Sequence, residues 1–272
     1  MFKELERLGK MCRLLGIIAN KPVDLEFSLG VFKEKFAAQN PDGWGIGWYK
    51  DGEAKIEKNC YSASKNGKFS NYSKHVTSKI IIAHVRRGTG AKPAKENSHP
   101  FKCKNWIFAH NGSVDREYLL KSLTLEYGGN KIKLKGETDS EVYFYWLLQC
   151  IEKNKNVALG IKEAVNNIIK SNYTGLNFLL SDGASLYAFR YSNTSRNYYS
   201  LFKLERDPSS KELAQYVSKE TKALITSKSL NGEKAVLLCS EKLTDDEDWK
   251  EINFGTLLII NSNLTIKEVK II

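Results

Sequence analysis

The sequence predicts an α+β protein, and three patterns carry that prediction. Short apolar runs closed by turn residues read as buried strands in the first half of the chain. Segments with apolar residues at three- and four-residue steps read as helices, the strongest between residues 138 and 169. From Gly175 onward the apolar period switches to two, and a series of short strands follows. The 272 residues are 42% hydrophobic, enough to bury one large core. No Pro/Gly/Ser-rich linker and no repeat of solenoid length divides them.

Residues 1–10 read as a short polar helix or a tail. Residues 14–19, Leu-Leu-Gly-Ile-Ile-Ala, form a compact apolar run bounded by Asn20-Lys21-Pro22, the pattern of a buried strand. Leu25, Leu29, Phe32 and Phe36 mark an amphipathic helix over 24–36. Asn40-Pro41-Asp42-Gly43 is turn chemistry, and residues 44–49 follow as a strand thinned by glycine. Residues 80–85 and 105–110 are two further buried strands. Ser113 is placed to cap a helix running through Tyr118 and Leu120. Lys131, Lys133 and Lys135 alternate with Ile132 and Leu134 in the manner of an edge strand. Residues 138–151 open with Thr138-Asp139-Ser140-Glu141, an N-cap followed by acidic residues in the first turn, and 157–169 form a second helix. Strands are expected at 176–180, 186–191, 199–204, 223–227, 235–239, 256–260 and 265–271.

The net charge of +11 comes mostly from lysines scattered along the chain, which reads as a solvated surface. No zinc-finger spacing and no basic-aromatic module points to nucleic acid. The five cysteines are dispersed and include no CxxC pair, so no metal site and no disulfide framework is expected; a reducing cytoplasm fits best. Cys150 and Cys239 lie in apolar runs, as buried small hydrophobes do. The first ten residues lack the apolar core of a secretory signal, and no run of about 18 apolar residues predicts a membrane span.

No G-x-S-x-G elbow, P-loop, H-E-x-x-H or G-x-G-x-x-G is present. Of the four histidines, His84 sits deep in an apolar strand and only His110 adjoins a glycine turn, which leaves a Cys–His dyad open. Five short segments carry chemistry. In Met11-Cys12-Arg13-Leu14-Leu15-Gly16, removal of Met11 would leave Cys12 with a free α-amine of pKa about 7.7–8.0, able to serve as base for its own thiol; the alternative is a structural cysteine heading a core strand. The glycines of 40–47 allow close approach of another backbone or of a ligand. Arg86 and Arg87 at a strand end suit bidentate capture of a carboxylate, or are surface charges. Asn111-Gly112 offers a side-chain amide and a backbone N–H to one oxyanion, or is a hairpin turn. Gly136-Glu137-Thr138-Asp139-Ser140-Glu141 offers a carboxylate to a substrate ammonium, or is an ordinary helix N-cap; both can hold, with different residues doing each.

In order and spacing these segments resemble the class II glutamine amidotransferases, N-terminal-nucleophile hydrolases with a catalytic cysteine. The likeness is greatest to the stand-alone branch that begins Met-Cys-Arg-Leu-Leu-Gly, which includes hydrolases of γ-glutamyl amides, and it spans residues 11–261. The resemblance implies a four-layer αββα sandwich. It implies Cys12 as nucleophile and, through its amine, as general base. It also implies Arg86 on the α-carboxylate of a glutaminyl group with Thr89 beside it, Asn111 and Gly112 as the oxyanion hole, Gly112 also at the α-amine, and Asp139 on the α-ammonium. The implied substrate is glutamine or a γ-glutamyl small molecule, split through a thioester without a cofactor. Two other readings stay open: a glutaminase subunit feeding ammonia to a separate synthetase partner, and a non-catalytic γ-glutamyl-binding relative.

Two departures from the family pattern stand out. Ten residues precede Met11, so a domain over 11–272 with an extension over 1–10 is expected, the extension arising from a misassigned start or a cleaved propeptide. Arg87 stands where relatives with a synthase domain often carry tryptophan.

Overall fold

Two antiparallel sheets pack face to face and carry helices on their outer surfaces. The structure, a computed structural model, describes residues 11–24, 26–65, 67–88, 90–194, 198–207 and 234–272. The expectations for residues 1–10, Leu25, Thr89 and the strand at 223–227 fall outside the described residues.

In chain order the elements are β1 (Arg13–Asp24), α1 (Glu26–Phe36), β2 (Trp44–Lys50), β3 (Glu53–Asn59), α2 (Gly67–His75), β4 (Thr77–Val85), β5 (Phe101–Cys103) and β6 (Trp106–Asn111). There follow α3 (Arg116–Ser122), β7 (Glu126–Tyr127), β8 (Asn130–Lys131), α4 (Asp139–Asn154), α5 (Val157–Ile168), β9 (Asn177–Ser181) and β10 (Ser185–Arg190). The chain closes with β11 (Phe202–Arg206), β12 (Ala235–Cys239), β13 (Lys250–Glu251), β14 (Thr256–Asn261) and β15 (Ile266–Lys270). One sheet has the order β13-β11-β12-β1-β4-β2-β3 and the other β15-β14-β10-β9-β6-β5.

The period-two patterns decide which side chain enters which layer. On β1, Leu14 and Ile18 join Ile80 and Ile82 of β4 between the sheets, against Ile107 and Ala109 of β6, Leu179 of β9 and Leu186 and Ala188 of β10. Leu15 and Ile17 point the other way and pack with Ile81, Ala83 and Val85 under α1 and α2, through Leu29, Phe32, Phe36 and Phe69. The second sheet sends Phe108, Phe178, Leu180, Tyr187 and Phe189 outward against α4 and α5. Helix α4 is buried almost all round because it lies between that sheet and α5, whose Ala164 carbonyl accepts from Trp146 Nε1 at 3.3 Å. The layers are therefore αββα.

The glycine-thinned strand β2 uses its freedom for another stretch of backbone. A Cβ at Gly45 would lie 2.1 Å from the His99 carbonyl oxygen, so only glycine lets the 98–100 segment lie against β2.

Four expectations need correction. Strand β1 does not stop before Asn20-Lys21-Pro22 but continues to Asp24, with a register shift between Ile18 and Val23 that absorbs the proline. Helix α3 is capped by Asp115, whose Oδ1 accepts from Tyr118 N at 2.9 Å, while Ser113 turns to Thr174 instead. The lysine-rich segment is a strand only at Asn130–Lys131; beyond it Ile132 and Leu134 pack onto the outer core without a ladder. Asn111-Gly112 is no hairpin, because β6 pairs with β5 and β9 and the chain runs on toward α3. The polar strand β3 lacks the periodicity that would announce it, while helix α2 sets Phe69 and Tyr72, with Val76 just beyond its end, at three- and four-residue steps facing the core.

Candidate active site

At one end of the sandwich β1 begins, β4 stops and β6 finishes, with Arg13 of β1 opposite Val85 of β4. Cys12 sits one residue before that ladder. Its sulfur is bracketed by the backbone of Arg87, whose N–H donates to Sγ at 3.2 Å and whose carbonyl accepts from the thiol at 3.3 Å. Burial pushes the thiol pKa up; the Arg87 backbone and the charges of Arg86 and Arg13 draw it down, and Asp42 opposes them. The resting sulfur is therefore a protonated thiol.

The two arginines leave the strand end in opposite directions. Arg86 continues the face of Ile82 and His84 and is buried between the layers. One arm of its guanidinium donates to the Ala91 carbonyl at 2.7 Å, and the other, Nη1, is buried without a hydrogen-bond partner. An unspent buried donor is costly, and a carboxylate would satisfy it. Arg87 continues the outer face and donates from Nη1 to the Gln39 carbonyl at 3.0 Å. Asp42, in the 40–43 turn, accepts from Gly88 N at 2.8 Å and ties this strand end to the entry of β2.

Asn111 reaches across from the second sheet. Its Nδ2 donates to the Cys12 carbonyl at 2.7 Å and to Ser240 Oγ at 3.1 Å, and its Oδ1 is buried without a partner. Gly112 follows at φ +136°, and a Cβ there would fall 1.9 Å from the Gly175 carbonyl oxygen, so no other residue fits this backbone. Asp139 accepts from Val114 N and from Ser140 N, each at 2.8 Å, while Thr138 caps α4 through Glu141 N at 3.3 Å. Cap and carboxylate are thus separate residues, and Asp139 stays partly exposed at the helix N-terminus.

The structure brings Cys12, Arg86, Asn111, Gly112 and Asp139 to one end of the sandwich. His110 is not the partner of the thiol: its Nδ1 meets Ser140 Oγ at 2.9 Å and its Nε2 meets the Gly175 carbonyl at 3.0 Å. Three residues here have no signature in the sequence. Ser240, just past β12, accepts from Leu14 N at 2.9 Å as well as from Asn111. Thr174 and Tyr199 join hydroxyls at 2.9 Å beside Gly112 and Gly175. Their placement depends on strand order, which no local pattern encodes. Among the described residues no group of three or more His, Cys, Asp or Glu side chains is arranged to hold a metal ion. No helix among them is long and apolar enough to cross a membrane.

The sequence profile of the class II glutamine amidotransferases matches residues 11–269. An uncharacterised protein of Methanocaldococcus jannaschii is 33% identical over 282 residues, covering 96% of this chain and 75% of that one. The γ-glutamyl-hercynylcysteine sulfoxide hydrolase of Mycobacterium tuberculosis is 27% identical over 121 residues, 44% of this chain and 52% of the other. Among solved structures, a glutamine aminotransferase class-II domain protein from Silicibacter pomeroyi aligns over 95% of this chain and 99% of its own with a TM-score of 0.64, at 23% identity, a likeness of fold.

Proposed function

The chain belongs to the class II glutamine amidotransferases, and from that premise we propose that it hydrolyses the γ-amide of glutamine or of a γ-glutamyl compound through a thioester on Cys12. The observation that carries the reading is the Cys12 sulfur bracketed by the Arg87 backbone, at a strand end where Arg86 Nη1 is buried without a partner and Asn111 Nδ2 donates to the Cys12 carbonyl. The relative named as a γ-glutamyl-hercynylcysteine sulfoxide hydrolase supports γ-glutamyl amides other than glutamine as substrates.

In this reading the active chain begins at Cys12. While Met11 is attached, the Cys12 nitrogen is an amide and cannot take a proton. Freed, the amine is neutral above its pKa of about 7.7–8.0 and withdraws the thiol proton. The sulfur attacks the γ-carbonyl carbon, and the oxyanion is received by the Gly112 N–H and the Asn111 amide. Both hydrogens of Asn111 Nδ2 are engaged at rest, so the substrate oxygen takes the place of Ser240 Oγ. Donors of this kind are each worth on the order of 3 kcal/mol in acyl transfer. The C–N bond then breaks as the Cys12 ammonium hands its proton to the leaving amine, and water hydrolyses the thioester. Arg86 holds the substrate carboxylate. Asp139 holds the ammonium with help from Gly112, fixing a near-attack pose.

The test is release of ammonia or amine from glutamine and γ-glutamyl peptides by protein beginning at Cys12. The reading expects turnover that Cys12→Ala abolishes; equal rates from both proteins would sink it. Full activity of the isolated chain favours a self-sufficient hydrolase over an ammonia-supplying subunit. Intact mass of the protein from its native cell checks that the chain starts at Cys12.

A further inference from the structure

Behind the Asn111-Gly112 corner lies a hydroxyl chain that the mechanism above does not use. Thr174 Oγ1 receives Ser113 N at 3.0 Å and lies 2.9 Å from both Ser113 Oγ and Tyr199 OH. A threonine hydroxyl has one proton and two lone pairs, so these three neighbours saturate it. Burial, first of all, pushes the Tyr199 phenol up, so it stays a neutral donor; the hydrogen-bonding order is then Tyr199 O–H to Thr174, and Thr174 O–H to Ser113. The Tyr199 ring also covers Gly175, where a Cβ would stand 2.8 Å from it. The Gly175 carbonyl in turn closes on Gly112 and accepts from His110 Nε2. Tyr199 is held from behind, its own carbonyl accepting from Asn177 Nδ2 and Arg190 Nε, each at 3.1 Å.

Resting on the hydrolase reading, we propose that Tyr199 is a positioning residue for the oxyanion hole, acting through Thr174 and Gly175 to fix the backbone of Gly112 and Ser113. Two contacts converge on the proposed Gly112 donor and its neighbour, the hydroxyl chain on Ser113 and the Gly175 wall on Gly112, and the His110 bond holds that wall. A donor aimed at a charge that exists only in the transition state acts on the chemical step more than on substrate binding. Tyr199 therefore governs kcat, while Arg86 and Asp139 govern recognition of the head group.

The experiment compares Tyr199→Phe with the parent, both beginning at Cys12, in two assays: hydrolysis of glutamine or γ-glutamyl-p-nitroanilide, and alkylation of the Cys12 thiol by iodoacetamide, which uses no oxyanion hole. The inference expects kcat to fall about tenfold or more with KM moved less than about threefold, and alkylation to stay within about twofold. Thr174→Val gives a similar loss that does not add to that of Tyr199→Phe, and Thr174→Ser restores most of the rate. A kcat within about twofold of the parent overturns the inference. So does a parallel fall in turnover and alkylation, which would mean a misplaced thiol. If the parent hydrolyses no γ-glutamyl compound, the hydrolase reading fails and takes this inference with it.

Discussion

Acidification from about pH 7.5 to about pH 5.5 is expected to remove roughly 3 kcal/mol or more of folding stability through three buried histidines. His84 is held down to about 3, first by burial and then by the Arg86 charge. His99, whose ring centroid lies 4.3 Å from that of His84, is pushed well below 6.5, first by burial and then by the charges of His84, His110, Lys58 and Arg86. His110 is also lowered by burial, although Asp139 and the Gly175 carbonyl oppose it. In the unfolded chain each titrates near 6.5. Above that pH both states are neutral and nothing is gained or lost. Below it the unfolded chain binds protons that the folded chain refuses, so stability falls as pH falls. One unit below the unfolded value, each histidine held neutral costs about 1.4 kcal/mol. His84 and His99 supply about 3 kcal/mol, and His110 acts in the same direction. Urea unfolding followed at several pH values across this window measures the loss. His99→Gln, which has no such proton, should flatten the dependence by about one proton equivalent. Stability constant to within about 1 kcal/mol from pH 7.5 to 5.5 would refute the argument.

Other outcomes follow from single contacts. Gly112→Ala forces a Cβ into the Gly175 carbonyl, and its kcat should fall by about a hundredfold or more in a steady-state assay, since a displaced backbone donor misses the oxyanion. Arg86→Lys removes the fork whose Nη1 is open and should raise KM for glutamine on the order of a hundredfold; a change below about fivefold would leave no carboxylate contact to explain. Asp139→Asn keeps an acceptor for Val114 N but loses the charge, and kcat/KM should drop roughly 10- to 100-fold. Gly45→Ala, far from the thiol, drives a methyl into the His99 carbonyl and should cost about 1–3 kcal/mol in denaturant unfolding.

The fold was legible wherever burial imposed a period. Both sides of β1, the outward aromatics of β9 and β10 and the capped start of α4 follow from alternation or capping chemistry in the sequence. Strand β3 was not legible, because it lies at a sheet edge and most of its side chains meet water. The corner at Asn111-Gly112 shows why context decides: the same pair that favours a hairpin becomes a strand end when β9 occupies the adjoining ladder. Cys12, Arg86, Asn111 and Asp139 are proposed from short segments because each residue type suits its chemistry, and the fold brings them to one end of the sandwich. Ser240, Thr174 and Tyr199 could not. They come from strand ends and connections far along the chain from Cys12 and Asn111, and serine, threonine and tyrosine in loops carry no signal of their own.

The ladder of β1 starts at Arg13, and neither Met11 nor Cys12, the two described residues before it, forms a rung of it. Losing Met11 removes the hydrogen bond from Arg13 Nη1 to its carbonyl at 2.8 Å and the burial of its side chain, and leaves Arg13 its contacts with the Cys12 carbonyl and Glu241. In the proposed hydrolase reading, assembly of the sheets and liberation of the Cys12 amine are separable events: the sandwich forms first with its chemistry silent, and a single cut at one strand end then frees the base.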